Sequence, residues 1–233
     1  MYKKLNIIKK CVICVIGFAV MQIDFVISKA VYSSITEIND TGYITKIMML
    51  ANDSTIYNYI DSSNYFLYMP TFIFFYAAIA CSNISLYRMP RNEMQMQVLR
   101  LGSMGKWFWY RLKTVIMDSV LYFTGFIIGC AWNSTICVND RLMLSVFLRF
   151  VWNISFSCLI LFLLRKTSKT MGVFITLILS VLLMLLDLTF EEAAIISYCD
   201  NNNGVLFGGT VAIIIFGLFF AINRRKLGSE EVI

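Results

Sequence analysis

Six long apolar runs, separated by polar segments, dominate the sequence. They cover about Ile7 to Ile27, Phe66 to Leu86, Val115 to Trp132, Leu142 to Leu164, Met171 to Phe190 and Val205 to Ile222. Each is close to the ~20 helical residues that cross ~30 Å of hydrocarbon. The pattern predicts an all-α, polytopic membrane protein with six transmembrane helices, in which residues 1–233 form a single transmembrane domain.

The basic residues lie mainly on one side of this six-helix pattern. Sixteen of the twenty Lys and Arg residues lie before or at the start of the first run, between the second and third or the fourth and fifth runs, or after the sixth. The charged residues of the opposite loops, of which residues 30–65 form the longest, are mostly acidic. Since Lys and Arg accumulate in cytoplasmic loops, both termini are predicted to lie in the cytoplasm of a bacterial plasma membrane.

The composition agrees with a lipid environment. Of the 233 residues, 59% are hydrophobic and 15% are charged, which is unusual for a soluble domain. The net charge of +6 is explained by loops that face an anionic leaflet, so no nucleic-acid partner is expected. The basic start and Ser28-Lys29-Ala30 resemble a cleaved signal peptide, but cleavage would leave five crossings. The first run is therefore interpreted as a retained helix.

Several kinds of chemistry are excluded by residues that the chain lacks. It contains no histidine, which removes the base or ligand of zinc proteases and of Ser-His or Cys-His hydrolases. Glu191-Glu192 resembles the paired glutamates of membrane-embedded proteases, but is followed by Ala193 and Ala194. Gly102 to Lys106 lacks the first glycine and the Ser/Thr of a P-loop. The chain is predicted not to be an enzyme and to hold no cofactor of its own.

The seven cysteines do not form the pattern of a disulfide framework. Five lie in or beside the apolar runs, where cysteine behaves as a small apolar residue. Cys11-x-x-Cys14 has the spacing of a metal motif but no second pair, so no metal site is predicted. Cys137 and Cys199 fall in outer loops, where they either form a disulfide or remain thiols.

The longest inner loop, residues 87–113, is predicted to contain a short helix. Pro90 suits the first turn of a helix, Glu93 suits the positive end of its dipole, and Gly102 suits its C-terminal cap. These signals predict a helix from Arg91 to Leu101. Ser103 is expected to cap a second helix that continues into the third membrane crossing.

The short helix has one apolar stripe. Met94, Val98 and Leu101 follow the spacing i, i+4, i+7. The polar residues expected to face elsewhere are Arg91, Gln95 and Gln97. The helix is therefore expected to be amphipathic and to lie across the membrane face.

At this point the chain resembles the permease subunit of an ABC-2 type ABC transporter. The resemblance rests on the six crossings with both ends inside and on the local sequence from Arg91 through Glu93 and Leu99-Arg100-x-Gly102-Ser103 to Lys106-Trp107. It implies that the short helix is a coupling helix that fits a groove on a separate ATPase. The coupling residues would be Arg91, Glu93, Met94, Val98, Arg100 and Leu101.

The resemblance also implies the rest of an assembly. Two copies of the ATPase subunit would bind ATP and Mg²⁺, and a second permease copy or a paralogue would complete the path. The chain departs from the family in having its long outer loop after the first crossing, at residues 30–65, and only about ten residues before that crossing.

Three ionisable residues fall within the outer halves of the apolar runs: Asp24, Arg149 and Asp187. Burying one charge alone in a membrane costs roughly 3 kcal/mol or more. Pairing of Arg149 with Asp24 or Asp187 is one solution, and an arginine that extends to the outer headgroups is the other. Asp118 is expected at the cytoplasmic rim near Arg111 and Lys113.

Two glycine pairs allow close approach between helices. Gly125 and Gly129, and likewise Gly204 and Gly208, have the Gly-x-x-x-Gly spacing. They serve either packing within the bundle or an interface between subunits.

Two classes of function follow. The first is export of an amphipathic peptide or lipid-like substrate, with the aromatic-rich second run and the polar outer loops as its basis. The second is a non-transporting membrane sensor, immunity or scaffold protein that binds a peptide or partner through residues 30–65.

Overall fold

A computed structural model of the chain describes residues 2–34, 44, 69–87, 91–133 and 140–166, with residues 171–172, 174–179, 181–182, 210–211, 213–215, 217–218 and 221. The regular secondary structure in these residues is helical, which confirms the all-α prediction for them. The helices with defined bounds are α1 (Tyr2–Ser34), α2 (Met69–Tyr87), α3 (Arg91–Leu101), α4 (Met104–Trp132) and α5 (Asp140–Lys166).

Three of the described helices are long and apolar enough to cross a membrane. These segments are Ile7–Ala30, Met104–Trp132 and Leu142–Leu163, and Ile73–Tyr87 is a shorter apolar helix. The chain is therefore a membrane protein. The fifth and sixth predicted crossings are described only in part, and Asp187, Gly204, Gly208 and most of residues 30–65 lie outside the described residues, so the number of six crossings stays a prediction.

Helix α4 begins eleven positions before the start of the apolar run at Val115. The hydroxyl oxygen of Ser103 accepts a hydrogen bond from the backbone N–H of Lys106 at 3.3 Å and so caps the helix. Because no proline follows before Val115, the helix continues without a break from this cap into the apolar run.

Helices α1 and α4 run parallel to each other. Lys9 contacts Asp118 near the start of α1, and Met21 lies against Gly129 farther along both helices. Because the contacting positions increase together along both helices, the two helices must run in the same direction. This direction fits two crossings separated by one return crossing.

Helices α2 and α5 run antiparallel to α4, because their contact positions decrease as those of α4 increase. The defining pairs are Ser82–Ser119 and Phe74–Tyr122 for α2, and Asn153–Ser119 and Phe150–Phe123 for α5. The four helices α1, α2, α4 and α5 therefore alternate in direction along the chain.

An aromatic cluster fills the interior of these four helices. Phe74 lies at its centre, with its ring centroid 4.6 Å from that of Phe126 and 5.3 Å from that of Phe123. Both contacts are T-shaped, a geometry that places the ring edge of one residue against the face of another. On the outside, side chains such as Val15, Ile128 and Phe147 are exposed, as expected for surfaces that contact lipid.

Candidate functional site

The apolar stripe of α3 faces the bundle. Met94, Val98 and Leu101 are half-buried and pack against a cluster at one end of α2, α4 and α5. The buried members of that cluster are Leu86, Trp107, Phe108, Leu112, Val115, Cys158 and Leu161. The helix is thus held against the bundle along its whole length by apolar contact.

A sharp turn joins α3 to α4. Gly102 has a φ of 75°, in the left-handed region, and its N–H donates to the carbonyl of Val98 at 3.0 Å. This geometry ends a helix and is readily adopted by glycine, which lacks a Cβ atom. Because Ser103 then begins α4 at once, the two helices are joined by only two residues outside helical conformation.

A polar chain also ties α3 to α4. The guanidinium of Arg111 donates to the side-chain oxygen of Gln97 at 2.5 Å, and the Gln97 amide donates to Glu93 at 3.3 Å. Gln97 was predicted to face away from the apolar stripe, and the structure places it half-buried toward α4. The reason is that Gln97 is only ~100° around the helix from Val98, at the edge of the stripe.

The opposite face of α3 carries exposed apolar residues. Met96 and Leu99 are 53% and 59% exposed and, three positions apart, are neighbours on the helix surface. Glu93 and Arg100 are exposed beside them. Sequence reasoning missed Met96 and Leu99 because the packed stripe was taken as the functional face. Their i, i+3 spacing opposite that stripe was the signal.

The predicted coupling residues therefore divide into two groups. Glu93 and Arg100 are exposed, whereas Met94, Val98 and Leu101 pack inward. Arg91 begins the helix, and its side chain lies outside the described part of the structure.

A group of polar side chains lies in the interior of the bundle. The Asn153 amide donates to the hydroxyl oxygens of Ser82 and Ser119 at 2.9 and 3.0 Å, and Ser119 donates to Ser82 at 2.8 Å. All three residues are fully buried. The triangle joins α2, α4 and α5 through hydrogen bonds that lipid-facing residues do not provide.

A second buried pair extends this group. Asn83 donates to the hydroxyl oxygen of Ser157 at 2.9 Å, and Ser157 donates to the backbone carbonyl of Asn153 at 2.8 Å. Sequence reasoning missed the whole group. The signal was the spacing of Arg149, Asn153 and Ser157 at i, i+4 and i+8, which places polar residues on one face of an apolar helix.

The buried Asp118 pairs with α1. The Lys9 ammonium donates to the Asp118 carboxylate at 2.6 Å, and the Asp118 side chain is 3% exposed. The expectation that Asp118 lies with Arg111 and Lys113 missed this partner, because the pairing depends on how α1 and α4 pack. Arg111 instead contacts Gln97.

Asp24 and Arg149 are both buried and lie close enough to interact electrostatically. The Arg149 guanidinium lies over the Phe74 ring, 5.1 Å from its centroid. The direct ion pair recorded in the described part of the chain is the one between Lys9 and Asp118. Asp187, the third predicted residue, lies outside the described residues.

The first glycine pair faces α1. A Cβ atom at Gly125 would overlap the backbone carbonyl of Cys14, and one at Gly129 would come within 3.0 Å of the Met21 Cβ. A Cβ atom at Gly17 of α1 would likewise overlap the backbone carbonyl of Tyr122. The backbones of α1 and α4 are thus in contact within one chain.

Among the residues that the structure describes, no group of three or more Cys, Asp or Glu side chains is placed to hold a metal ion. Cys11 is exposed and Cys14 is half-buried on α1. Comparisons with protein-family models, curated proteins and solved structures found no match for this chain. The function is therefore inferred from two arrangements, the exposed face of α3 and the polar interior of the bundle.

Proposed function

We propose that the chain is the membrane-spanning subunit of an ATP-driven ABC transporter and that a separate ATPase binds the outer face of α3. The supporting observation is the exposed pair Met96 and Leu99 flanked by Glu93 and Arg100. An exposed apolar centre with a charged rim is typical of a protein interface. The helix that carries it is fixed to the bundle by its opposite face.

The contacts of α3 also provide a route for mechanical coupling. A push on α3 is transmitted to α4 through the hydrogen bond between Arg111 and Gln97 and through the packed apolar stripe. Helix α4 in turn contacts α1 backbone to backbone at Gly125. Movement of the ATPase would therefore displace α3, α4 and α1 together.

The rest of the assembly follows from the same proposal. Two ATPase copies would bind ATP and Mg²⁺, and a second copy of this chain or a paralogue would complete the transport path in a bacterial plasma membrane. The proposed cargo is an amphipathic peptide or a lipid-like molecule. Phe74 and Phe75 pack inside the bundle, so the support for this cargo is the polar outer loop of residues 30–65.

The test is purification of the tagged chain from membranes of cells that express it naturally, followed by mass spectrometry. We expect a P-loop ATPase at stoichiometric amount with the wild type. Leu99→Asp is expected to remove it at unchanged yield of the chain. Lys113→Gln changes the net charge by the same −1 at an exposed position of α4, and is expected to keep the ATPase.

Three results would contradict the proposal. Absence of an ATPase from the wild-type sample would favour the non-transporting sensor, immunity or scaffold protein. Retention of the ATPase by Leu99→Asp and by Met96→Asp would place its binding site elsewhere. A lower yield of both variants from the membrane would indicate that the outer face of α3 contacts lipid.

A further inference from the structure

Asp24 is a buried carboxyl group in the interior of a membrane bundle, and one of its two oxygens has no hydrogen-bond partner among the described residues. It is 2% exposed and lies within the membrane-crossing part of α1, Ile7–Ala30. Its Oδ1 atom is out of reach of solvent and has no hydrogen-bond partner among the described residues. An ionised carboxylate in such surroundings loses its hydration, at a cost of several kcal/mol unless a counterion compensates it.

Ser28 is the nearest polar group on the same face of α1. It lies four positions after Asp24, is fully buried, and its hydroxyl also has no hydrogen-bond partner in the described part of the chain. A neutral carboxyl group and a hydroxyl can each donate and accept a hydrogen bond. Ser28 can therefore donate to either form of the carboxyl group, whereas only the neutral form can donate to Ser28.

Arg149 faces Asp24 from α5 but does not depend on it for contacts. Its guanidinium lies over the Phe74 ring at 5.1 Å, a favourable cation–π geometry, and it has further interactions. From α4, Tyr122 and Cys130 are the titratable groups that interact electrostatically with Asp24. Both are neutral side chains at neutral pH, so Arg149 is the charge that stabilises an ionised Asp24.

The contrast with Asp118 makes the state of Asp24 unusual. Both carboxyl groups are buried on helices that cross the membrane, yet Asp118 accepts a hydrogen bond from the Lys9 ammonium at 2.6 Å. The Oδ1 atom of Asp24, in contrast, has no hydrogen-bond partner among the described residues. The same bundle thus holds one carboxylate with a direct counterion and one carboxyl group with this unpaired oxygen.

We propose that Asp24 is a proton-binding site of the bundle. Oδ1 is shielded from solvent, so a water molecule or a metal ion would need additional space at this atom, whereas a proton needs none. The neutral carboxyl group is the form that fits the described arrangement. On ionisation the proton passes to water, and the carboxylate gains a direct ion pair with Arg149, which draws α1 toward α5.

This proposal does not depend on the ATPase. Proton uptake at Asp24 would break the ion pair with Arg149, and proton release would restore it. The site therefore makes the packing of these two helices sensitive to pH.

The test is infrared spectroscopy of the full chain in lipid nanodiscs, because a protonated carboxyl group absorbs separately from a carboxylate. At pH 7 we expect a protonated-carboxyl band in the wild type that Asp24→Asn removes. Asp118→Asn is the matched control and is expected to leave the band unchanged. Arg149→Gln removes the positive charge that favours ionisation, so the band should persist to higher pH.

Asp24→Asn is also expected to assemble at wild-type yield, because asparagine is a neutral substitute of the same size. The proposal is overturned if Asp24→Asn leaves the infrared band unchanged, since Asp24 is then ionised at pH 7. It is equally overturned if Asp24→Asn fails to assemble whereas Asp24→Asn with Arg149→Gln assembles, since that result identifies a permanent ion pair.

Discussion

Lys9 and Asp118 form a direct ion pair of 2.6 Å that joins the first helix to the fourth. The two side chains differ in their surroundings, because Lys9 is 30% exposed and Asp118 is 3% exposed. Loss of the lysine therefore leaves an uncompensated buried carboxylate, whereas loss of the carboxylate leaves an ammonium that reaches solvent. The two halves of one pair are not equivalent in their effect on stability.

We expect Lys9→Met to lower the free energy of unfolding by about 3 kcal/mol, and Asp118→Asn by about 1 kcal/mol. Thermal unfolding in detergent measures both. The double variant Lys9→Met with Asp118→Asn should be more stable than Lys9→Met alone, because the buried charge is removed. Equal effects of the two single variants would show that the burial of Asp118 has no consequence.

The close approach of α1 and α4 predicts a graded series of glycine variants. Gly125→Ala should destabilise by about 3 kcal/mol or more, because the new methyl group overlaps the Cys14 backbone. Gly129→Ala should cost less, about 1 kcal/mol, since the new methyl group comes to 3.0 Å from the Met21 Cβ and meets no backbone carbonyl. Gly217→Ala is the control, because no atom of the described residues lies within 4 Å of a Cβ at that position. The same order is expected in the yield of folded protein by size-exclusion chromatography.

The polar interior predicts a specific loss of stability for Asn153→Ala. This change removes the hydrogen bonds to Ser82 and Ser119, which together should cost about 1–3 kcal/mol. Thr124→Val is the control, because Thr124 is exposed and donates only within its own helix, to Val120 at 2.7 Å. If both variants unfold at the same temperature, the polar triangle contributes nothing to stability.

The predicted orientation of α4 is tested at its two ends. Lys106 and Trp132 are both exposed, and they are 26 positions apart on one helix. In a background without the seven native cysteines, an impermeant maleimide added outside should label Trp132→Cys in intact cells. Lys106→Cys should be labelled only after permeabilisation. The reverse labelling would place the α3–α4 turn outside the cell.

The sequence predicted those features that depend on neighbours along the chain. The bounds of α3 follow from Glu93 and Gly102, which act within one or two turns, and the structure has the same helix from Arg91 to Leu101. The partners of Asp118 and Asn153 were not predicted, because they depend on which faces of distant helices meet. An apolar run identifies a helix but does not specify its rotation about its own axis.

Local spacing alone did not show which face of α3 is exposed. Met94, Val98 and Leu101 do form an apolar stripe. That stripe packs against the bundle and is therefore not exposed for binding another protein. The exposed pair Met96 and Leu99 is less regular and becomes apparent only when the packed side is known.

The ion pair between Lys9 and Asp118 also places a demand on biosynthesis. The two residues are 109 positions apart in the chain. At ~5–20 residues per second, the ribosome needs about 5–20 s to deliver Asp118 after Lys9 has emerged. During that interval the first helix has neither its counterion nor the glycine surface of α4. A nascent chain that ends before α4 therefore lacks the packing partner of α1. The membrane insertion machinery must tolerate this unpaired helix, or quality-control proteases can recognise it.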